Sequence, residues 1–207
     1  MQIQNNKTEF SKVFQEWKLT TLSKVLLNLE SGARAKGGSV KYGIPSLGGE
    51  HITKDGKLNL RDLKYVPETF FSTMKKGIIK DRDVLLVKDG ATIGKTTIIR
   101  KLPFEKMAVN EHVFILRGNN SLDQEFLFYY ISQANIQNRI KAIQTGSAQP
   151  GINSTFPNHL EIYLPPLNQQ QKITSILSNV DELIQKTEQI IEQTQRLKKG
   201  LMQTILT

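Results

Sequence analysis

The clearest pattern in the 207-residue chain is an apolar repeat of seven residues near its C-terminal end. Between residues 168 and 206, two series of mostly apolar positions, three residues apart, recur every seven residues, with threonine at some of them. This a/d pattern predicts a long helix with an apolar stripe. The dimerisation residues that it predicts are Ile173, Ile176, Val180, Leu183, Ile190, Leu197 and Leu201.

The length of this helix indicates that it packs on a second helix. A helix over 168–206 is about 58 Å long at 1.5 Å per residue, which exceeds the diameter of so small a domain. We therefore expect a homodimer through this helix, and one long core helix of a monomer is the alternative.

A proline pair separates the helix from the rest of the chain. Leu164-Pro165-Pro166-Leu167 continues neither a helix nor a central strand, because proline lacks the amide hydrogen and fixes its own backbone angle. We predict a globular domain over residues 1–166 and a long helix over 167–207, with Asn168 as the helix N-cap.

Short apolar runs bounded by turn residues predict the structure of the first part, the head. Strands are expected at 83–87, 96–99, 112–116 and 160–164, and a helix over 122–143. Residues 31–62, rich in Gly, Lys and Ser, are expected to form loops between short strands. Because strands and helices do not alternate regularly, the sequence predicts an α+β fold rather than a doubly wound one.

Composition narrows the class of protein. The chain has 28 Lys and Arg against 19 Asp and Glu, a net charge of +9, which indicates an anionic partner. It has no cysteine, which excludes disulfides and thiolate metal sites. With no long apolar run and a polar N-terminus, we expect a soluble cytoplasmic protein rather than a membrane-spanning or secreted one.

One segment imitates a phosphate-binding loop. Gly90-Ala91-Thr92-Ile93-Gly94-Lys95-Thr96 has three residues between its glycines where a Walker A loop has four. Asp89 precedes it, and the residues after it are typical of a strand rather than a helix, so the helix N-terminus that holds a phosphate is missing. We predict a hairpin that binds no nucleotide.

The sequence gives little support for a catalytic site. The histidines, His51, His112 and His159, are too far apart for a metal-ligand pair at helical spacing. Asp81, Asp83 and Asp89, with Lys88 beside them, leave a small metal-dependent nuclease as an alternative, although Asp81 and Asp83 also fit ordinary turn chemistry. We predict no catalytic residue, no metal site and no cofactor held by this chain itself.

Three polar loops favour nucleic-acid binding. Lysines anchor phosphates, whereas Arg, Gln, Ser and Thr can read base edges; a solvated basic surface is the alternative. The candidate DNA-binding residues are Arg34, Lys36, Lys41, Lys88, Thr92, Lys95, Thr97, Arg100, Ser147 and Gln149.

Over residues 17–207 a series of short motifs resembles one family. In order they are Trp17-Lys18-Leu19, Asp83-Val84-Leu85-Leu86, Lys88-Asp89-Gly90-Ala91-Thr92-Ile93-Gly94-Lys95, Ala108-Val109-Asn110, Gly146-Ser147-Ala148-Gln149-Pro150, Leu164-Pro165-Pro166-Leu167, Gln170-Gln171-Lys172-Ile173 and Leu197-Lys198-Lys199-Gly200-Leu201-Met202-Gln203. They are similar to the target-recognition domain and conserved helix of a type I restriction-modification DNA specificity subunit. The chain departs from the family at Asn168-Gln169, where an acidic residue is common.

The resemblance implies a specific function. Such subunits are non-catalytic, their recognition domain reads one half of a split double-stranded DNA site, and their helices run antiparallel and set the spacing between halves. Modification subunits supply S-adenosylmethionine and recruit restriction subunits. Family members carry two recognition domains and two helices, so this sequence corresponds either to a natural half-subunit or to half of a longer chain. A coiled-coil adaptor with a basic head is a further alternative.

Overall fold

The computed structural model describes residues 16–145 and 150–205. The strands are β1 (Lys18–Thr21), β2 (Leu26–Ser31), β3 (Ile44–Leu47), β4 (Lys64–Val66), β5 (Val84–Val87), β6 (Thr96–Ile98), β7 (Ala108–Val109), β8 (Val113–Gly118) and β9 (Glu161–Leu164). The α-helices are α1 (Leu22–Val25), α2 (Glu68–Thr73), α3 (Gln124–Ser132), α4 (Ala134–Ala142) and α5 (Leu167–Ile205). Short 3₁₀ turns lie at Gly49–His51 and Phe156–His159.

A four-stranded antiparallel sheet, in the order β2-β8-β5-β6, is the centre of the head. A second sheet has the order β4-β3-β7, with β3 and β7 parallel, and β1 pairs with β9 in a two-stranded ribbon. The predicted α+β class is confirmed, and the strands predicted from apolar runs are present; β5, β6 and β9 are shorter than predicted, whereas β8 continues to Gly118.

The central sheet is buried on both faces, because successive side chains of a strand point to opposite faces. In β5, Val84 and Leu86 join an apolar cluster with the residues of α3 and α4. Leu85 and Val87 join a second cluster with residues of β3 and β7. This two-sided burial explains why β5 is an uninterrupted apolar run in the sequence.

The helix predicted over 122–143 is two helices. Asp123 caps α3 by accepting hydrogen bonds from the amides of Glu125 and Phe126. The chain then breaks at Gln133, whose ψ of 138° is extended. The side-chain amide of Gln137 donates to the carbonyl of Ile131, which the break deprives of a helical partner (2.8 Å between Nε2 and O). The break lets both helices turn an apolar face to the same cluster.

The long C-terminal helix is present as α5, with 39 residues. The prediction that Asn168 is its N-cap is wrong. The amide of Gln170 donates to the carbonyl of Pro166 (3.0 Å between N and O), so the helix begins at Leu167 and Asn168 lies within its first turn. Proline is suitable before a helix start because its fixed φ costs nothing there.

The base of α5 is anchored to the head by a buried glutamine. Gln170 is fully buried; its Nε2 donates to the carbonyls of Ser121 and Pro165, and its Oε1 accepts from the amide of Asp123. Every polar atom of this side chain is therefore used, which offsets the cost of burying it.

Beyond its base, α5 crosses α3 and leaves the head at the β6 edge of the central sheet. The hydroxyl of Tyr129 in α3 donates to Asp181, and Lys57 donates to Glu188. Lys57 belongs to a turn that is fixed to β6, because the Thr97 hydroxyl donates to the carbonyl of Gly56. From residue 189 to residue 205 every side chain of the helix is exposed. Within the described ranges, no helix is both long and apolar enough to cross a membrane.

Candidate nucleic-acid interface

Several chain segments meet at one end of the central sheet. Val87 at the end of β5 pairs with Val113 at the start of β8, and Ser31 at the end of β2 pairs with Phe114. The segments that continue from these strands therefore emerge together. We call this the loop end, formed by residues 32–36, 88–95, 110–112, 145 and 150–152.

The glycine-bearing segment between β5 and β6 is a hairpin, as predicted. Gly90 and Gly94 have φ angles of +79° and +86°, which glycine adopts most readily. The amide of Gly94 donates to Val87, that of Ile93 to Gly90, and that of Lys95 to Thr92. Because these amides bind carbonyls within the hairpin, they do not form a phosphate cradle. The absence of nucleotide binding stays a prediction.

The third predicted loop is attached beside this hairpin. Thr145 and Gly151 exchange backbone hydrogen bonds (2.9 and 3.0 Å between N and O), and the amide of Ile152 donates to the carbonyl of Lys88. Ser147 and Gln149 themselves lie outside the described residues, but both ends of their loop are at the loop end.

A cleft of about 260 Å³ lies on the β2 and β8 side of the hairpin. Arg34 lines it, together with Lys64, Glu50 and His112. Burial opposes ionisation of Glu50, but the hydrogen bond from Lys64 (2.5 Å from Nζ to Oε1) holds its pKa below the ordinary value. The Nδ1 atom of His112 lies 2.6 Å from Oδ1 of Asp89, so this imidazole is fixed at the hairpin. The cleft presents both donors and acceptors.

The remaining exposed candidates lie further from the hairpin. Lys36 is exposed beyond Arg34, and Lys41 precedes the start of β3, with its ammonium 5.6 Å from the centre of the Tyr42 ring. The other end of β3 approaches the hairpin, since a Cβ on Gly49 would be 2.7 Å from the hydroxyl of Thr92. Lys41 is therefore about one strand length from the hairpin.

Two candidate DNA-binding residues form hydrogen bonds away from the loop end. Thr97 is only 1% exposed, and its hydroxyl donates to Gly56 (2.7 Å between Oγ1 and O), so the structure does not present this candidate to DNA. Arg100 follows the opposite end of β6, where its guanidinium forms two 3.0 Å hydrogen bonds with Glu125 and lies over the Phe128 ring. The structure does not bring Arg100 to the loop end.

The three carboxylates that left a nuclease as an alternative do not meet at one point, because Asp89 follows β5 whereas Asp81 and Asp83 precede it. Asp81 accepts from the amide of Leu102, and Asp89 lies against His112 at the loop end. Asp83 is at the opposite end of β5, in a bidentate ion pair with Arg117 (2.6 Å for each contact). Over residues 16–145 and 150–205, no three His, Asp or Glu side chains form a group that could hold a metal ion.

Comparison with known proteins identifies the family. The type I restriction modification DNA specificity domain matches residues 33–196, most of the chain. The chain belongs to this family. It is 31% identical over 205 residues to a Methanocaldococcus jannaschii protein provisionally named the MjaX specificity subunit of a type I restriction enzyme, covering 97% of this chain and 48% of that protein.

Solved structures have the same fold as this specificity domain. One, from work on complex assembly and conformational transition of the type I R-M system, has a TM-score of 0.68 at 18% identity and covers 92% of this chain and 45% of that one. The HsdS subunit of Thermoanaerobacter tengcongensis has a TM-score of 0.61 at 17% identity, over 83% and 39%. The chain spans about half the length of the relatives it matches.

Sequence reasoning missed the contacts that join this specificity domain to its helix. Lys57 and Tyr129 gave no signal, and Gln170 was noted only within a family motif, because their partners lie 131, 52 and 47–49 residues away. Burial and the hydrogen bond to Asp181 raise the pKa of the Tyr129 hydroxyl above its ordinary value, so it stays protonated and donates. Lys54 and Lys141 were also missed; both line a second cleft beside Lys95.

Proposed function

We propose that the chain reads one half of a bipartite DNA target for a type I restriction-modification system. The observation that carries this proposal is the convergence at the loop end of two polar, basic segments and of both ends of a third, polar loop. The segments lie far apart in sequence, yet the pairing of β2, β5 and β8 brings the first two together, and the hydrogen bonds of Thr145, Gly151 and Ile152 attach the ends of the third. Family membership makes DNA the polyanion that this surface fits best.

The proposed DNA surface assigns different tasks to different side chains. Lys88 and Lys95 at the hairpin contact phosphates, whereas Arg34 and Thr92 reach base edges. Ser147 and Gln149 remain proposed base-reading residues on sequence grounds. Lys36 and Lys41 extend the phosphate contacts away from the hairpin. Thr97 and Arg100 are not part of the surface, since burial and the ion pair with Glu125 engage them.

We propose a non-catalytic role for the chain within an enzyme complex. The separation of Asp89 from Asp81 and Asp83, at opposite ends of β5, supports this, because a metal-dependent nuclease needs such carboxylates around one ion. Methyl transfer and cleavage are then the work of modification subunits, which bring S-adenosylmethionine, and of restriction subunits that they recruit. The chain binds no cofactor itself and acts in the cytoplasm with the DNA.

The domain over residues 1–166 thus reads DNA, and the helix over 167–207 forms the partner interface. The proposed a/d residues Ile176, Leu183 and Leu197 are 65%, 63% and 63% exposed, and Val180, Ile190 and Leu201 are exposed as well. Ile173 is only half-buried against the head. A second copy of the helix, running antiparallel, would cover this stripe and place the two heads at opposite ends.

The test uses the chain with its modification subunit. Binding by the chain alone is expected to be weak and to fall steeply with salt, and the modification subunit should tighten it and reveal a sequence preference. Alanine at Lys36 or Lys95 should weaken binding to all sequences alike, whereas alanine at Thr92 or Gln149 should alter the preferred bases. Unchanged affinity for the mapped site in all four variants would refute this placement of the DNA surface.

A further inference from the structure

A second cleft, of about 610 Å³, lies on the other side of the hairpin, between the head and α5. The hairpin forms one wall, and the turn at 53–57, helices α3 and α4, and Asp181 of α5 form the others. The charged side chains that line it are Lys54, Lys95, Lys141, Asp55 and Asp181.

The lysines of this cleft are available to an anion, whereas its carboxylates are engaged. Lys54, Lys95 and Lys141 have no carboxylate within 4 Å in the described part of the chain. Asp55 is 3.0 Å from Nζ of Lys57, and Asp181 accepts from the Tyr129 hydroxyl. The free charge of the cleft is therefore positive.

The hairpin and α4 are held close together, so these lysines are not scattered surface charges. A Cβ on Gly94 would meet Oε1 of Gln137, so the hairpin approaches α4 closely at this point. The same Gln137 donates a hydrogen bond to the carbonyl of Ile131, so a side chain at residue 94 would displace an engaged group. Lys95 on the hairpin and Lys141 in the last turn of α4 therefore lie on two elements that contact each other.

The cleft lies on the side from which α5 leaves the head. Lys95 directly precedes β6, the edge strand, and the turn that carries Lys54 is fixed to β6 through Thr97 and Gly56. That same turn binds Glu188, after which α5 is exposed. A duplex that crosses the loop end and continues alongside the projecting helix passes over this cleft.

We propose that Lys54, Lys95 and Lys141 bind the phosphodiester backbone of the DNA that leads from the half-site into the gap between the two halves. This inference rests on the proposed function and adds a sequence-independent subsite on the gap side of the recognition surface. Phosphate contacts of this kind fix the register and direction of the duplex without reading bases.

The experiment uses DNA duplexes that carry the half-site, after its sequence has been mapped. Each duplex is extended with random sequence either on the gap side or on the outer side of the half-site, and the two extensions are compared. The protein is the chain with its modification subunit, either wild type or carrying Lys54→Gln and Lys141→Gln. Lys24→Gln with Lys101→Gln is the matched control, since both lysines are exposed and lie towards the opposite end of the sheet.

The gap-side extension should strengthen wild-type binding more than the outer extension does, and the Lys54/Lys141 variant should lose that gain. The slope of log affinity against log salt should fall by about two for this variant, one for each lost phosphate contact, and by nothing for the control. Uncharged methylphosphonates at the gap-side phosphates should weaken wild-type binding but leave the Lys54/Lys141 variant almost unaffected.

Different results would overturn the gap-side subsite and the proposed function. An equal gain from both extensions, or a methylphosphonate effect that persists undiminished in the Lys54/Lys141 variant, would overturn the gap-side subsite while sequence-specific binding remained. Loss of any preference for the mapped half-site in the wild type would instead overturn the proposed function. Tight binding of inorganic phosphate that the two substitutions abolish would assign the cleft to a free anion rather than to DNA.

Discussion

The head buries its apolar side chains, whereas the projecting part of α5 leaves its apolar side chains exposed. In the head, β5 and β8 place alternate residues into two clusters, one on each face of the sheet, and side chains such as Leu85 and Ile115 are fully buried. In the part of α5 that follows Glu188, the exposed apolar side chains include those of Ile190, Ile191 and Leu197. The head completes its core within the described residues, whereas none of these residues covers the apolar stripe on the projecting part of the helix.

This difference indicates that the two regions respond to different changes. Substitutions in the head should alter the free energy of unfolding and leave association unchanged. Substitutions on the stripe should alter association and leave the folding of the head unchanged. Only the base of α5, where Gln170 and Thr174 are buried, belongs to both regions.

The largest expected effect on the head comes from removing Arg117. Its guanidinium contacts both oxygens of the buried Asp83 and one oxygen of Glu30. Burial opposes the charge, yet these carboxylates raise the pKa of Arg117 above its ordinary value, so it stays charged. Arg117→Ala should lower the free energy of unfolding by about 3–5 kcal/mol, because the buried carboxylate of Asp83 is left without a countercharge.

Urea denaturation of the Arg117→Ala variant measures this. The exposed Arg139 is the matched control, and Arg139→Ala should change the free energy of unfolding by less than about 0.5 kcal/mol. Equal stabilities of the two variants would show that the Arg117 network does not hold the head together.

The next effect in size concerns the helix. Leu183→Asp or Ile190→Asp places a charge on the stripe, where a paired helix would bury it, and should yield monomers at micromolar concentration. Gln195→Asp, on another face of the same helix, should leave the dimer intact. Light scattering measures the mass, and thermal unfolding of the head should be unchanged in all three. A wild-type protein that is monomeric under these conditions would contradict the proposed dimer.

The smallest expected effect is a null result at the hairpin. Calorimetry with millimolar ATP and magnesium should detect no binding, since the amides of Ile93, Gly94 and Lys95 already donate to carbonyls. A micromolar dissociation constant that Lys95→Ala abolishes would contradict the assignment of this segment as a hairpin without a nucleotide site.

Regular patterns predicted the elements of this fold, and long-range contacts account for what they missed. The apolar runs at 84–87 and 113–116 predicted central strands, and the heptads predicted α5. The break at Gln133 was missed because the apolar residues have helical spacing on each side of it, and the longer step from Ile131 to Ile136 was read as part of one helix. Asn168 has the side chain of a good cap, but Pro166 supplies the first helical carbonyl.

At the candidate site, sequence predicted which loops are polar but not which side chains are free. Thr97 and Arg100 look like Thr92 and Lys95 in sequence; only the fold shows that Gly56 and Glu125 engage them. Lys54 and Lys141 had no local signal, since 53–57 and α4 reach the hairpin only through packing against β6 and Gly94. The order of family motifs predicted the general function, which depends less on such detail.

In the proposed function, the head reads DNA while α5 sets the distance between two heads. An insertion of seven residues tests this spacing role. The insertion belongs after Glu192 in every copy, because α5 is held by the head at Asp181 and Glu188 and is exposed beyond them. A whole heptad preserves the a/d phase, so the pair should still form, whereas four inserted residues should break the phase and weaken it.

The decisive measurement is methylation mapping on a DNA library with random gaps, using the seven-residue variant with its modification subunit. Each helix becomes about 10 Å longer at 1.5 Å per residue. The gap should therefore widen by about three base pairs at 3.4 Å each, while both half-site sequences stay the same. A variant that remains dimeric and active but keeps the original gap would show that α5 does not set the spacing.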